Sequence, residues 1–441
     1  MTGPFFDPAD LPAHWSSKRL RFLTSINRKQ LPANTPPEKP LRYMDISSVG
    51  GDGSLREPQT MLFENAPSRA RRLGYQGDTA VSTVRTYLKA IAFISQEHND
   101  CVWSTGFAIL SPGPELDPKF LYYVTRSTQF VSEIERRSVG ISYPAVNAED
   151  VADILCPVPP LEEQRRIADF LDEETAHIDV LSARKRRLLS LLDEKRAAVG
   201  RAAVSGHLTS GQEQRKESDL PWLPTVPSHW RVAKLSFVAK LGTGHTPSRS
   251  KAEYWEAKRD IPWLTTSDIG RFRDDRCDVL GETKESISRL GLENSSAELH
   301  PAGTVALSRT ASVGFSVVMG RDMATSQDFA TWTCSENLEP RFLLLCLRAM
   351  RTDLQKRLAT GSTHKTIYMP DIQSLRIPLP PVDEQRRAVE RAREQIEQID
   401  EVSDLIRRQL PRLTELRDAL ITAAVTSELD PSSYRESAVA A

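Results

Sequence analysis

The chain is written twice, and this duplication constrains its fold more than any other feature. PAHWSSKRLRFL at 12–23 returns as PSHWRVAKLSFV at 227–238, an offset of 215, and PVPPLEEQRRIA at 157–168 returns as PLPPVDEQRRAV at 378–389, an offset of 221. Pro, His, Trp, Leu and Phe recur in the first pair, and seven of twelve positions are identical in the second. Weaker echoes lie between them in the same order: GDTAVST at 77–83 against GTVALSR at 303–309, STGFAIL at 104–110 against TSQDFATW at 325–332, and PKFLYYV at 118–124 against PRFLLLCL at 340–347. Gly140 and Asp150 match Gly361 and Asp371. The offset drifts to about 226 and back, which confines insertions and deletions to the middle of each half. Two copies of one scaffold carrying different loops follow.

Each copy ends in a long helix. From Glu162 to about His207 there is no proline, and charged residues interleave with apolar ones at helical spacing. The preceding Pro-Pro suits a helix N-terminus, and Glu162 and Glu163 suit the positive end of its dipole. A seven-residue repeat runs through Leu171, Ile178, Lys185, Leu192 and Val199 with Leu181 and Leu189 between, and again through Ala392, Ile399, Ile406, Leu413 and Leu420 with Val402 and Leu410 between. Heptads this long predict a coiled-coil seam between the two helices; the alternative is that each covers only its own domain. Pro411 is expected to kink the second helix.

The segments ahead of the helices differ in character. AIAFI at 90–94, VWSTGFAIL at 102–110, TVALS at 304–308 and FSVVM at 315–319 read as short strands, whereas YYVTRSTQFVSEIERR and LLLCLRAMRTDLQKRL read as helices. The expected fold is α+β, with two α/β domains in tandem repeat separated by the two long helices as an antiparallel coiled coil. The divisions are a first domain at 1–155, a first helix at 156–208, a polar linker at 209–221, a second domain at 222–376, a second helix at 377–429 and a tail at 430–441. A helix of about 45 residues spans roughly 65–70 Å, enough to set a fixed spacing.

Several chemistries find no residues to carry them. There is no GxxxxGK[ST] phosphate loop, Gly242-Thr243-Gly244 is a lone GxG, and no Asn or Asp precedes a Pro-Pro-aromatic run of the kind that grips a flipped base. Asp278, Glu282 and Lys284 resemble a nuclease set only faintly and read better as a solvated loop. The five cysteines never fall at CxxC spacing and read as reduced packing residues, and the histidines are scattered. No stretch approaches the roughly 18 apolar residues of a membrane span, and no export signal is found, so a cytoplasmic address is expected. A net charge of −1 gives no support to a nucleic-acid partner; residues 223–379 carry 21 Lys and Arg against 17 Asp and Glu, which leaves room for a basic face without demonstrating one.

Taken together, the HW block of each half, GTGHTPSRSKAEYWEAKRDIPWLTTSDI at 242–269, GDTAVSTVR with GTVALSRTA, and above all PPLEEQRRIADFLDEE with PPVDEQRRAVERA resemble the specificity subunit of type I restriction–modification systems. The likeness runs over essentially the whole chain. It departs where the first half lacks a GxTPS segment and where GISYPA at 140–145 stands opposite GSTHKT at 361–366. The resemblance implies two target-recognition domains, each reading half of a split double-stranded DNA site, with the coiled coil setting the spacer. It implies no catalysis and no cofactor in this chain. Two methyltransferase subunits would carry S-adenosylmethionine, and restriction or translocase subunits carrying ATP and Mg would join them. The expected DNA-facing residues are Ser82, Arg85, Tyr87, Lys89 and Tyr143 in the first copy and Arg249, Lys251, Ser308, Arg309, His364 and Lys365 in the second. Glu163, Gln164, Arg165 and Arg166, with Glu384, Gln385, Arg386 and Arg387, repeat one chemistry twice and are candidates for methyltransferase docking, or else for helix capping and local ion pairing. A self-contained restriction enzyme and a purely structural coiled-coil protein are the competing classes.

Overall fold

The two strongest echoes of the sequence are hydrogen-bonded to each other. In the computed structural model, which describes residues 11–140, 142–209, 214–255, 260–361 and 365–434, Ser16–Arg19 lies antiparallel to Leu155–Val158, and Arg231–Lys234 lies antiparallel to Arg376–Leu379. Ser16 faces Val158 and Arg231 faces Leu379, so adding 215 and 221 to one register gives the other. The next backbone bond repeats as well, from Leu20 N–H to Ile154 O at 3.0 Å and from Leu235 N–H to Leu375 O at 2.9 Å.

Each half then builds a mixed head on this clasp. In the first, strands order as Thr24–Ile26, Phe107–Pro112, Thr79–Ser82 and Ile91–Phe93, and a second sheet orders as Gln59–Leu62, Pro40–Met44, Val102–Ser104 and Ala70–Leu73. In the second, the corresponding order is Ala239–Thr243, Phe329–Cys334, Val305–Ser308 and Ser316–Met319, extended by Val279–Leu280, beside a three-stranded sheet of Glu285–Ile287, Ile261–Leu264 and Ala324–Thr325. Pro118–Arg126 and Pro340–Ala349 are amphipathic helices with proline in the first turn, where the missing N–H costs no hydrogen bond, and their apolar residues lie in the core of their own half. The expected strands and helices are present. Within the segment 209–221, expected as a linker, Arg215–Leu220 forms a hairpin with Leu223–Pro227, with Ser218 and Leu220 buried. Over Glu217–Leu220 exposed and buried residues alternate, the period of a strand.

Two compact units result, one from Met1–Arg186 with Arg407–Ala441 and one from Arg187–Ile406. The long helices Leu161–Val204 and Val382–Val425, of 44 residues each, contribute a half to either unit. In the first unit Lys185 Nζ donates to Gln409 Oε1 at 2.7 Å and Arg417 pairs with Asp179 at 3.3 Å. In the second, Arg196 pairs with Asp400 at 3.1 Å. As the number on one helix rises that on the other falls, so within each unit the helices run antiparallel. Ile178 shares a core with Leu420 and Ala424, and Val199 and Ala203 share one with Ala392 and Ile399. The seam is not wholly apolar. Thr175, Ser182 and Ser403 are buried at the intermediate heptad positions, while Leu181 and Val402, expected there, are 43 % and 46 % exposed. Thr175 and Ser403 bond back to the carbonyls of Leu171 and Ile399, which satisfies their hydroxyls inside the helix. The second helix continues through Pro411.

At the start of each long helix a glutamine ties three segments together. Gln164 Oε1 accepts from Asp117 N–H at 2.7 Å, and its Nε2 donates to the carbonyls of Glu115 and Pro159 at 2.9 and 2.8 Å. Gln385 repeats this with Glu339 N–H at 2.8 Å and the carbonyls of Asn337 and Pro380 at 3.0 and 2.9 Å. The neighbouring glutamates hold the HW block: His14 Nε2 lies 3.0 Å from Glu163, His229 Nε2 lies 2.9 Å from Glu384, and Trp230 Nε1 donates to Glu384 at 3.0 Å. Gln164 and Gln385 are fully buried and Glu384 nearly so, which corrects their assignment as docking side chains. Glu163 is half-buried, and Arg165, Arg166, Arg386 and Arg387 are exposed.

Two outcomes are expected. Gln164→Leu or Gln385→Leu leaves one buried N–H and two carbonyls without their partner and should lower stability by about 2–4 kcal/mol in urea unfolding; a loss below about 0.5 kcal/mol would contradict the assignment. The five thiols are all free, and burial pushes each upward, Cys334 to about 12 and Cys101, Cys156, Cys277 and Cys346 in the same direction. At pH 8 almost no thiolate is present, so an aromatic disulfide reagent should react slowly with the native protein and fully only after detergent unfolding.

Candidate nucleic-acid interface

Both heads carry one loop crossing, built alike and surfaced differently. After Thr79–Ser82 and Val305–Ser308 the chain turns through a left-handed residue, Arg85 at φ 53° and Ala311 at φ 60°. A later segment crosses this turn: Ala145 bridges to Val84 and Val139, and Thr366 bridges to Thr310 and Thr360. Arg85 N–H donates to Pro144 O at 2.8 Å and Ala311 N–H to Lys365 O at 2.9 Å. Gly140 and Gly361 open the crossing segments at φ 112° and 111°, a conformation that favours glycine and explains why this residue recurs.

On the first head the crossing displays Arg85, Tyr87, Lys89 and Tyr143 to solvent. The Arg85 guanidinium stacks on the Tyr143 ring at 5.1 Å, and Tyr87 and Tyr143 are 54 % and 67 % exposed. Leu88 and Val139, not anticipated from sequence, are exposed beside them in the chain. A planar cation on an aromatic face keeps hydrogen-bond donors free at its edge, an arrangement suited to base edges or phosphate.

The second head offers fewer free groups. Lys365 and Tyr368 are exposed, whereas His364 lies outside the described residues. Arg309 is partly buried, with Nε donating to Gln327 O at 3.0 Å and Nη1 to Ile367 O at 3.4 Å, so it braces the crossing. Arg249 lies 3.7 Å over the Trp255 ring, 5.2 Å from that of Trp263, and 2.6 Å from Glu285, so its fork is already engaged. Lys251 Nζ bonds Tyr254 Oη at 3.0 Å, a contact that raises the ammonium above the usual lysine range. Arg273, missed in the sequence, reaches Ser312 Oγ at 3.2 Å on the turn itself.

Ser82 and Ser308 are buried, and this corrects their assignment as DNA contacts. Each hydroxyl donates to a carbonyl two residues on, Val84 at 2.6 Å and Thr310 at 3.3 Å, which fixes the exit from the strand. Their recurrence at one offset signals scaffold, since surfaces that read different sequences must differ. The GxG is likewise a packing device: a Cβ on Gly244 would stand 1.9 Å from the Thr325 carbonyl. His300 is buried nearby, bonded to Thr243 O at 3.2 Å, and burial lowers its pKa. Asp278 is held by Arg348 at 2.5 Å, and the Lys284 backbone N–H donates to Asp268 Oδ1 at 2.8 Å. Among the described residues no cluster of metal-ligating side chains occurs, and no helix is long and apolar enough to cross a membrane.

One further echo lies in a short capped turn of each head. Asp45 caps Ile46–Ser48 with Ser48 answering, and Thr265 caps Thr266–Arg271 with Asp268 answering, so the two partners of one capping box have exchanged places. For the crossing, Ser82→Ala or Ser308→Ala should cost about 1 kcal/mol in thermal unfolding, while Arg85→Ala and Lys365→Ala stay within about 0.5 kcal/mol. The reverse order would refute this separation of scaffold from surface.

Comparison with known proteins agrees with this duplicated architecture. The family model for the type I restriction modification DNA specificity domain matches residues 83–189 and 227–412. The MjaIX specificity subunit of Methanocaldococcus jannaschii is 24 % identical over 39 % of this chain and 38 % of that protein, and the StySPI specificity subunit of Salmonella potsdam is 26 % identical over 75 % of this chain and 69 % of that protein. A chain from a solved type I restriction–modification system superposes with a TM-score of 0.75 at 26 % identity, covering 95 % of this chain and 99 % of that one. With a repeated target-recognition scaffold and a family model matching both halves, the chain belongs to the type I restriction–modification DNA specificity subunits, which are non-catalytic recognition subunits.

Proposed function

We propose that this chain reads a two-part DNA site, one part with each head, and recruits methyltransferase subunits to it. The observation that carries the reading is the loop crossing: one backbone construction occurs twice, with Arg85, Tyr87, Lys89 and Tyr143 displayed on one copy and Lys365 on the other. Identical scaffolds with unlike surfaces suit two half-sites of unlike sequence. Arginine and aromatic groups supply direct base contacts, while lysines hold phosphates. Arg249, Lys251 and Arg309 serve as supports whose donors are partly engaged within the head.

In this reading residues 1–155 and 222–376 are the reading heads, and the long helices with their flanking turns fix the spacer and the assembly. Two methyltransferase subunits dock on the duplicated helix starts, where Arg165, Arg166, Arg386 and Arg387 are exposed, and carry S-adenosylmethionine to an adenine amine. Restriction subunits with ATP and Mg join through them. Family membership implies no cofactor on this chain. Chromosomal and phage DNA in the cytoplasm is the substrate of the assembly.

Exchanging residues 1–155 for the corresponding region of a relative, with methylated sites then mapped genome-wide, should alter one half-site and leave the other and the spacer unchanged. Simultaneous change of both half-sites would overturn the two-headed reading.

A further inference from the structure

The HW block retains five residue types between the copies, and four of them have work inside the fold. The carbonyls of Pro12 and Pro227 accept from the N–H of Trp15 and Trp230, His14 and His229 meet the helix glutamates, and the two tryptophans and Leu20 with Leu235 are buried. The fifth, Phe22 and Phe237, is 73 % and 78 % exposed. Each sits on the short helical turn that follows the clasp strand, Leu20–Leu23 in one copy and Leu235–Phe237 in the other. A large apolar ring held in water at the same place twice, in a chain whose exposed loops have otherwise diverged, is not explained by packing.

We infer that Phe22 and Phe237 are the aromatic anchors by which each half grips one copy of the same methyltransferase subunit; this rests on the recruiting role proposed above. Aromatic side chains dominate binding energy where they fill a partner's pocket. The surroundings define the chemistry of that pocket. Phe237 borders an open groove with Arg231, Lys234, Asn337, Arg376 and Pro380, and no carboxylate among the described residues lines it. Close to Phe22 in the chain, Lys18, Arg19 and Arg21 pair with Glu115 and Asp153 in exposed ion pairs that exchange readily for others. The partner surface is therefore an apolar pocket edged by carboxylates. Protein is favoured over DNA because a face that reads sequence must differ between the halves, whereas this one is kept, and because phenylalanine offers phosphate no donor.

The test uses the full chain with the methyltransferase subunit of its own system, counted by native mass spectrometry and titrated. Phe22→Ala and Phe237→Ala should each leave one methyltransferase where the wild type holds two, with affinity at the altered half weaker on the order of tenfold to a hundredfold, and the double variant should hold none. Unfolding temperatures should match the wild type, since both rings are exposed. Two copies retained at wild-type affinity by the double variant would overturn the proposal. Loss of DNA binding with methyltransferase retained would also overturn it and assign the face to DNA. A wild-type chain that bound no methyltransferase would instead overturn the recruiting role on which the proposal stands.

Discussion

A buried glutamine side chain at the head of each long helix is the interaction on which the rest of the structure depends. Its carbonyl and amide are satisfied by a helix N-terminus in the head, by the loop before that helix, and by the proline that ends the clasp strand. Buried amides are costly unless every group is paired, so this geometry admits few alternatives. Fixing those three segments sets where the head helix begins and at what point the long helix leaves. The arginines that follow are then presented outward because helix periodicity alternates buried and exposed faces.

Ion pairs do similar work further along. In the first unit the buried Arg417 lies against Asp179, while in the second Arg276 reaches Asp400 and Asp404 from a head loop and Arg196 caps the carbonyls of Asp274 and Asp275. Such pairs add less to stability than they add to definition, since desolvation offsets much of their attraction. A wholly apolar seam would tolerate sliding by a heptad; one with charges at set positions does not.

The architecture was legible because the chain repeats itself: the offsets of 215 and 221 in the sequence are those of the strand registers. The start of each long helix was marked by the repeated Pro-Pro. The seam was read less well. Apolar heptad spacing points to Leu181 and Val402, whereas Ser182 and Ser403, one position on, are the buried ones; the Ser403 hydroxyl bonds its own helix, which suits a tight interface. At the candidate site, the recurrence of a serine marks scaffold rather than surface. Ser82 with Ser308 and Gln164 with Gln385 recur because the scaffold needs them, whereas the non-recurring Arg85, Tyr87, Lys89, Tyr143 and Lys365 are exposed at the crossing. Arg249 and Arg309 have the right chemistry, but the carboxylate of Glu285 and the carbonyls of Gln327 and Ile367 that engage them come from other segments of the chain.

The first unit is interrupted in the chain by the whole of the second. Leu413, Leu420, Ile421, Ala424 and Val425 belong to the core that Trp15, Phe120 and Phe170 begin, and the Tyr434 ring rests on Phe170 at 5.2 Å. During synthesis, therefore, the second unit has all its residues in hand while the first still waits with an open core, its apolar face held available until residues 407–434 emerge. The half that is translated first is the half completed last, and damage near the end of the reading frame strikes the N-terminal head.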